Sequence, residues 1–114
     1  MSANIERGDI HWVELDPTRG AEIAKTRPCI VLSATEINLY RKTVIVVPLT
    51  TTSSAPAPPL LVAVPSAGAT SKARIEHIRA VDKIRLQRRI GRLSSADLQQ
   101  VEVALRQVLR LPKD

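Results

Sequence analysis

Arg27 stands directly before Pro28, at the end of a charged approach containing Glu22 and Lys25 and ahead of the apolar run Cys-Ile-Val-Leu at residues 29–32. Proline drives the residue before it into extended or polyproline geometry, so Arg27 is held at the mouth of a strand. A guanidinium fixed there presents a planar fork of donors to two oxygens of a phosphate or carboxylate, a geometry an ammonium does not match. The competing reading is a surface ion pair between Arg27 and Glu22. A second charged group lies at Arg74, Glu76 and His77. Glu22 and Glu76 compete for the role of general base, which near neutral pH requires burial or a like-charged neighbour to raise the carboxylate pKa. Otherwise each is a solvated salt-bridge partner. His77 titrates near neutrality, but strand alternation directs it away from the face of Glu76 and favours a structural role. His11 reads as an exposed or hydrogen-bonded strand residue.

Composition bounds the chemistry. The 114 residues, taken as one domain over 1–114, are enough for a single core that removes roughly two-thirds of the unfolded surface from water. Phe is absent, and Trp12 and Tyr40 are the only aromatics, so the core is aliphatic and stacking of several bases on several rings is excluded. Seventeen Lys+Arg against 11 Asp+Glu give a formal charge of +6, which steers polyanions toward the surface. Cys29 is the single cysteine, so neither an internal disulfide nor a cysteine metal site is expected; it reads as a small buried hydrophobe. The polar N-terminus lacks the pattern of a signal peptide, and no apolar run reaches the ~20 residues that span a bilayer. A cytoplasmic protein without membrane association is expected.

The elements that must position these groups are short. Residues 8–16 predict a first strand with Ile10, Trp12 and Leu15 inward, and Pro28–Ser33 a second. Thr43–Leu49 carries consecutive β-branched residues, which implies burial on both faces; Pro48 marks an edge, a bulge or the strand's end. Leu60–Val64, Ala73–Ile78, Ala80–Leu86 and Ile90–Leu93 read as further extended pieces. One helix is convincing: Ser94 caps it with Asp97 in the box position, and Leu98, Val101, Leu105, Val108 and Leu109 form its apolar stripe. The fold class is α+β, a small barrel of five to seven strands with a C-terminal helix.

In order and spacing, Arg7-Gly8-Asp9-Ile10, Leu15-Asp16-Pro17-Thr18, Gly20 and Glu22, Arg27-Pro28, Val47-Pro48-Leu49-Thr50 and Ile78-Arg79 with Val81-Asp82-Lys83 resemble the MazF/PemK (Kid) toxin endoribonucleases. The resemblance covers roughly residues 6–111 and implies an SH3-like β-barrel acting as a homodimer. It implies metal-independent, cofactor-free cleavage of single-stranded RNA through attack of the ribose 2′-hydroxyl, leaving a 2′,3′-cyclic phosphate and a 5′-hydroxyl. It also implies neutralisation by an antitoxin whose acidic segment folds on binding. The family's arginine falls on Arg27 and its threonine on Thr50. Glu22 matches a loop glutamate, Arg74 an arginine, and Glu76 the place where some members carry an aspartate. The extra methylene of Glu76 carries its carboxylate about 1.5 Å farther out. A histidine found in some members just before the loop glutamate is here Ala21. Arg19, Lys25, Thr51, Thr52 and His77 are the candidate RNA contacts around this group. Two alternatives keep the barrel without catalysis: a gyrase-poisoning toxin, whose relatives lack the Arg/Thr pair, and a plain RNA-binding barrel. The basic run Arg85, Arg88, Arg89 and Arg92 is open to three readings: RNA contact, antitoxin docking or a solvated face.

Overall fold

A computed structural model describes residues 4–15 and 25–112; Arg19 and Glu22 fall outside the described residues. Among the described residues seven strands form: β1 (Asp9–Glu14), β2 (Thr26–Val31), β3 (Thr43–Thr50), β4 (Leu61–Ala63), β5 (Lys72–Arg74), β6 (Arg79–Asp82) and β7 (Leu86–Arg92). Helix α1 (Thr35–Tyr40) joins β2 to β3, and α2 (Ser95–Leu109) follows β7. The antiparallel order is β4-β5-β3-β2-β1-β7, with β6 also pairing β3. The α+β class is as expected. The barrel is not closed: among the described strands β7 pairs with β1 alone and β4 with β5 alone, Leu61 making only an isolated bridge to Ala57 besides.

Alternation along the central strands sorts side chains onto two covered faces. Ile10, Ile30, Val47 and Leu49 enter one cluster, which α2 completes with Val101 and Ala104. Val13, Cys29, Val31, Val44, Val46 and Val81 form the second. Val44, Val46 and Val47 are thus buried on the two sides of β3, as expected of a branched run, whereas Ile45 departs from that expectation and stays 43% exposed. In β1, Val13 is the fully buried residue, while Leu15 only packs at the margin of the second cluster.

β3 positions the site. Its first half pairs with β6 as far as Val46 opposite Arg79, and its end pairs with β5 from Leu49 opposite Ala73. Pro48 lies between these partners, in a central strand that runs on to Thr50, and not at an edge or a strand end. The Ile45 carbonyl accepts from the Leu32 N–H at 2.8 Å. Odd-numbered residues of β3 therefore direct backbone bonds to β2, and even-numbered ones, Pro48 included, to the β6/β5 side. The missing N–H falls in the break between partners, where no ladder bond is lost.

The predicted strand over 73–78 stops at Arg74. Ile75–His77 instead make a single 3₁₀ turn, with the Ile78 N–H donating to the Ile75 carbonyl. Ile75 is fully buried in the cluster under α2, so the chain dives inward where an alternating strand would have passed along the surface. Lys83–Arg85 form another such turn, which splits the predicted 80–86 piece; Asp82 caps it by accepting from the Ile84 N–H at 3.1 Å.

At the start of α2, Ser94 Oγ accepts from the Asp97 N–H at 3.1 Å as predicted. The Asp97 carboxylate does not return to Ser94. It accepts from the Ser66 N–H at 2.8 Å, and Ser66 Oγ accepts from the Ser94 N–H at 3.0 Å. An aspartate reaches less far than the usual glutamate, and the β4–β5 connection closes the box in its place. Val101, Ala104, Leu105 and Val108 make the packed stripe; Leu109, on its flank, is half exposed.

Candidate functional site

Two hollows meet at Arg27. The first, about 360 Å³, is lined by Leu15, Arg27, Pro48, Leu49, Arg74 and His77. The second, about 290 Å³, is lined by Trp12, Thr26, Pro28, Thr50, Thr51 and Ser71 together with Arg27 and Leu49. Arg27 is the second residue of β2 and half buried, held in extended geometry by Pro28. Among the described residues no carboxylate forms an ion pair with Arg27 or Arg74, so both guanidiniums keep their forks for an incoming anion.

Thr50 ends β3. Its Oγ1 accepts from the Thr52 N–H at 3.3 Å, which leaves the hydroxyl proton to donate elsewhere. Thr51 lines the second hollow, whereas the half-buried Thr52 offers its carbonyl to Lys72 Nζ at 3.1 Å. Lys72 faces Thr50 across the ladder and adds a cation near the hollow. Lys25 is exposed beside them and lines neither hollow; its carbonyl accepts from the Leu15 N–H at 2.9 Å.

The 3₁₀ turn overturns the expected placing of His77. Successive residues there are a third of a turn apart, so His77 does not point to a structural back face. It is exposed and lines the first hollow with Arg27 and Arg74. Glu76 is exposed on the same turn and lines neither hollow. The structure thus brings Arg27, Thr50, Thr51, Arg74 and His77 together.

The buried thiol of Cys29 lies under Arg27, with Sγ 3.7 Å from the Arg27 carbonyl. Burial pushes its pKa up to about 12, only partly offset by the nearby Arg79 and Arg27 charges. It is an inert core thiol, as its sequence context indicates.

The basic run that begins in the turn before β7 and continues along it is largely occupied within the molecule. Arg89 Nε lies 3.1 Å from Asp9 Oδ1, and Arg92 Nη1 lies 3.3 Å from the same oxygen and 2.7 Å from Glu6 Oε1. Arg85 Nη1 donates to the Glu14 carbonyl at 3.3 Å. Asp9 is almost fully buried, and so is His11, whose Nδ1 lies 3.1 Å from the Gln87 carbonyl. Asp9 is therefore the anchor of this edge, a role that its place in a motif does not reveal. Sequence reasoning also missed Trp12, Ser71 and the Pro48–Leu49 wall. Trp12 and Ser71 reach the hollow through the β1–β2 register and the β4–β5 hairpin, and nothing local signals such long-range approach. Among the described residues no three His, Cys, Asp or Glu side chains form a group that could hold a metal ion, and no helix is long and apolar enough to cross a membrane.

An open antiparallel sheet backed by a terminal helix, with two guanidiniums that no carboxylate pairs among the described residues and a hydroxyl around adjoining hollows, defines a small basic α+β protein with a cationic cleft. The chain belongs to the PemK-like, MazF-like toxins of type II toxin–antitoxin systems, whose family model matches residues 6–109. It is 38% identical over 110 residues to the endoribonuclease MazF9 of Mycobacterium tuberculosis, covering 90% of this chain and 93% of that one. A solved mycobacterial endoribonuclease in complex with its cognate antitoxin superposes with a TM-score of 0.77 at 25% identity, covering 96% of this chain and 99% of the other. The MazE–MazF structure from Deinococcus radiodurans shares the fold, with a TM-score of 0.80 at 24% identity over 97% of this chain and 100% of that one.

Proposed function

We propose that this chain is the toxin of a type II toxin–antitoxin pair and cuts single-stranded RNA where its two hollows adjoin. The observation that carries the reading is Arg27, a half-buried guanidinium shared by both hollows and free of carboxylate pairing among the described residues. The scissile phosphate rests against Arg27, with Arg74 on one side and the Thr50 hydroxyl on the other. The ribose 2′-oxygen attacks phosphorus, and the product ends are a 2′,3′-cyclic phosphate and a 5′-hydroxyl. Two guanidiniums and a hydroxyl meet the charge that develops on the phosphorane, so the step requires no metal ion. Glu22 or Glu76 takes the 2′-hydroxyl proton. Trp12 and Pro28 give the second hollow a flat apolar wall for one base, and Thr26, Thr51 and Ser71 offer hydroxyls to its edge. Arg19, Lys25 and Thr52 contact the flanking RNA. The protein works as a homodimer in the cytoplasm, and an acidic antitoxin segment that folds on binding competes for the same arginines. Family membership and the likeness to a relative named as an endoribonuclease support this reading.

Arg27→Ala tests it. Loss of a charge-stabilising donor is expected to slow cleavage of a long single-stranded RNA, with chelator present, by on the order of 100- to 1,000-fold. Circular dichroism should stay that of the native protein. Undiminished cleavage by this variant would remove Arg27 from the mechanism. A wild-type protein that cuts no RNA would turn the reading toward a gyrase-poisoning or purely RNA-binding barrel.

A further inference from the structure

We propose that His77 is the general acid that protonates the departing 5′-oxygen, an assignment that rests on the Arg27 hollow being the cleavage site. Internal transesterification moves two protons: one leaves the 2′-hydroxyl, and another must reach the 5′-oxygen as its bond to phosphorus breaks. A carboxylate suits the first task. Neither guanidinium suits the second, because arginine holds its proton at any pH the protein meets. A threonine hydroxyl is too weak an acid. Of the six residues lining the first hollow, His77 alone carries an imidazole, the side-chain type suited to general acid–base work.

Its placement fits the task. The 3₁₀ turn is anchored by the fully buried Ile75 and stands beside the break in the β3 ladder, and His77 lines the hollow together with Arg27, Arg74, Pro48 and Leu49. A phosphate held by Arg27 and Arg74 lies within that same space. Exposure of the ring to water lets it recover its proton after each turnover. The step balances as follows: the 2′-oxygen forms its bond to phosphorus and the carboxylate takes its proton. The bond from phosphorus to the 5′-oxygen breaks with its electron pair going to oxygen, and the imidazolium N–H delivers a proton there. Neutral imidazole and protonated carboxyl then exchange with water.

The test uses a short RNA with either the natural 5′-oxygen or a bridging sulfur at the scissile position, cut under single-turnover conditions by wild type, His77→Ala and His77→Gln. A thiolate departs without protonation. The variants are expected to cut the oxygen substrate on the order of 100-fold more slowly than wild type, and the sulfur substrate at nearly the wild-type rate. The wild-type fall in rate at high pH should disappear in both variants. Equal losses on the two substrates, or full activity on the oxygen substrate, overturn the assignment. Arg27→Ala is assayed alongside: if it cuts normally, or if wild type cuts nothing, the cleavage-site reading itself fails and the acid role goes with it.

Discussion

Cys29 shows how little of this site is carried by its most reactive atom. The thiol has about 12 as its folded pKa against 9.0 for the unperturbed group, because burial disfavours the thiolate. The unfolded chain therefore releases this proton first as pH rises. The contribution to stability is complete below about pH 9 and falls away between about pH 9 and 12. Denaturant titrations should show the wild type losing stability in that window more steeply than Cys29→Val; parallel curves would contradict the burial of the thiol. Arg27, by contrast, was legible in the sequence, because a following proline dictates its backbone. The place of Thr50 was legible through the motif Val47-Pro48-Leu49-Thr50, and that of Arg74 only through the family resemblance. His77 was misplaced because a period of two was assumed across residues 75–77, where burial of Ile75 imposes a tight turn.

Helix α2 was the most readable element, since its cap and stripe are local in sequence. Its closure through Ser66 was not readable, because that serine lies 28 residues from Ser94. The clasp couples the β4–β5 connection to the helix start. Ser94→Ala is expected to cost about 1 kcal/mol, the usual worth of a capping hydroxyl, and Ser66→Ala about 0.5–1.5 kcal/mol for one hydrogen bond. Chemical denaturation of both variants and the double mutant should show non-additive losses, as expected for groups in one network. Strict additivity would mean that the two serines act independently. The short strands were legible in kind but not in extent. Their ends depend on partners, as where β5 stops at Arg74 and β6 begins only at Arg79.

Across the whole molecule, the formal charge of +6 overstates what is available to RNA. Arg89 and Arg92 are engaged by Asp9 and Glu6, and Arg85 by a carbonyl. Binding should therefore owe its salt dependence to the cleft. Arg74→Gln is expected to flatten the plot of log affinity against log salt by about 0.7 for one lost phosphate contact, whereas Arg89→Gln should leave that slope unchanged. Equal flattening by both substitutions would place RNA on β7. The overall class was legible because alternation, turn chemistry and one capped helix agreed. Failure of the sheet to close was not, since it depends on which edges meet.

The cleft is a breach in a sheet. On one side of β3 the rungs to β6 end at Val46 and those to β5 resume at Leu49, and the hollow opens between them. Any other residue at position 48 would turn an amide hydrogen into that breach and offer a neighbouring polypeptide a handhold from which to extend the sheet. Pro48 leaves that rung blank, so the gap keeps its shape without a plug.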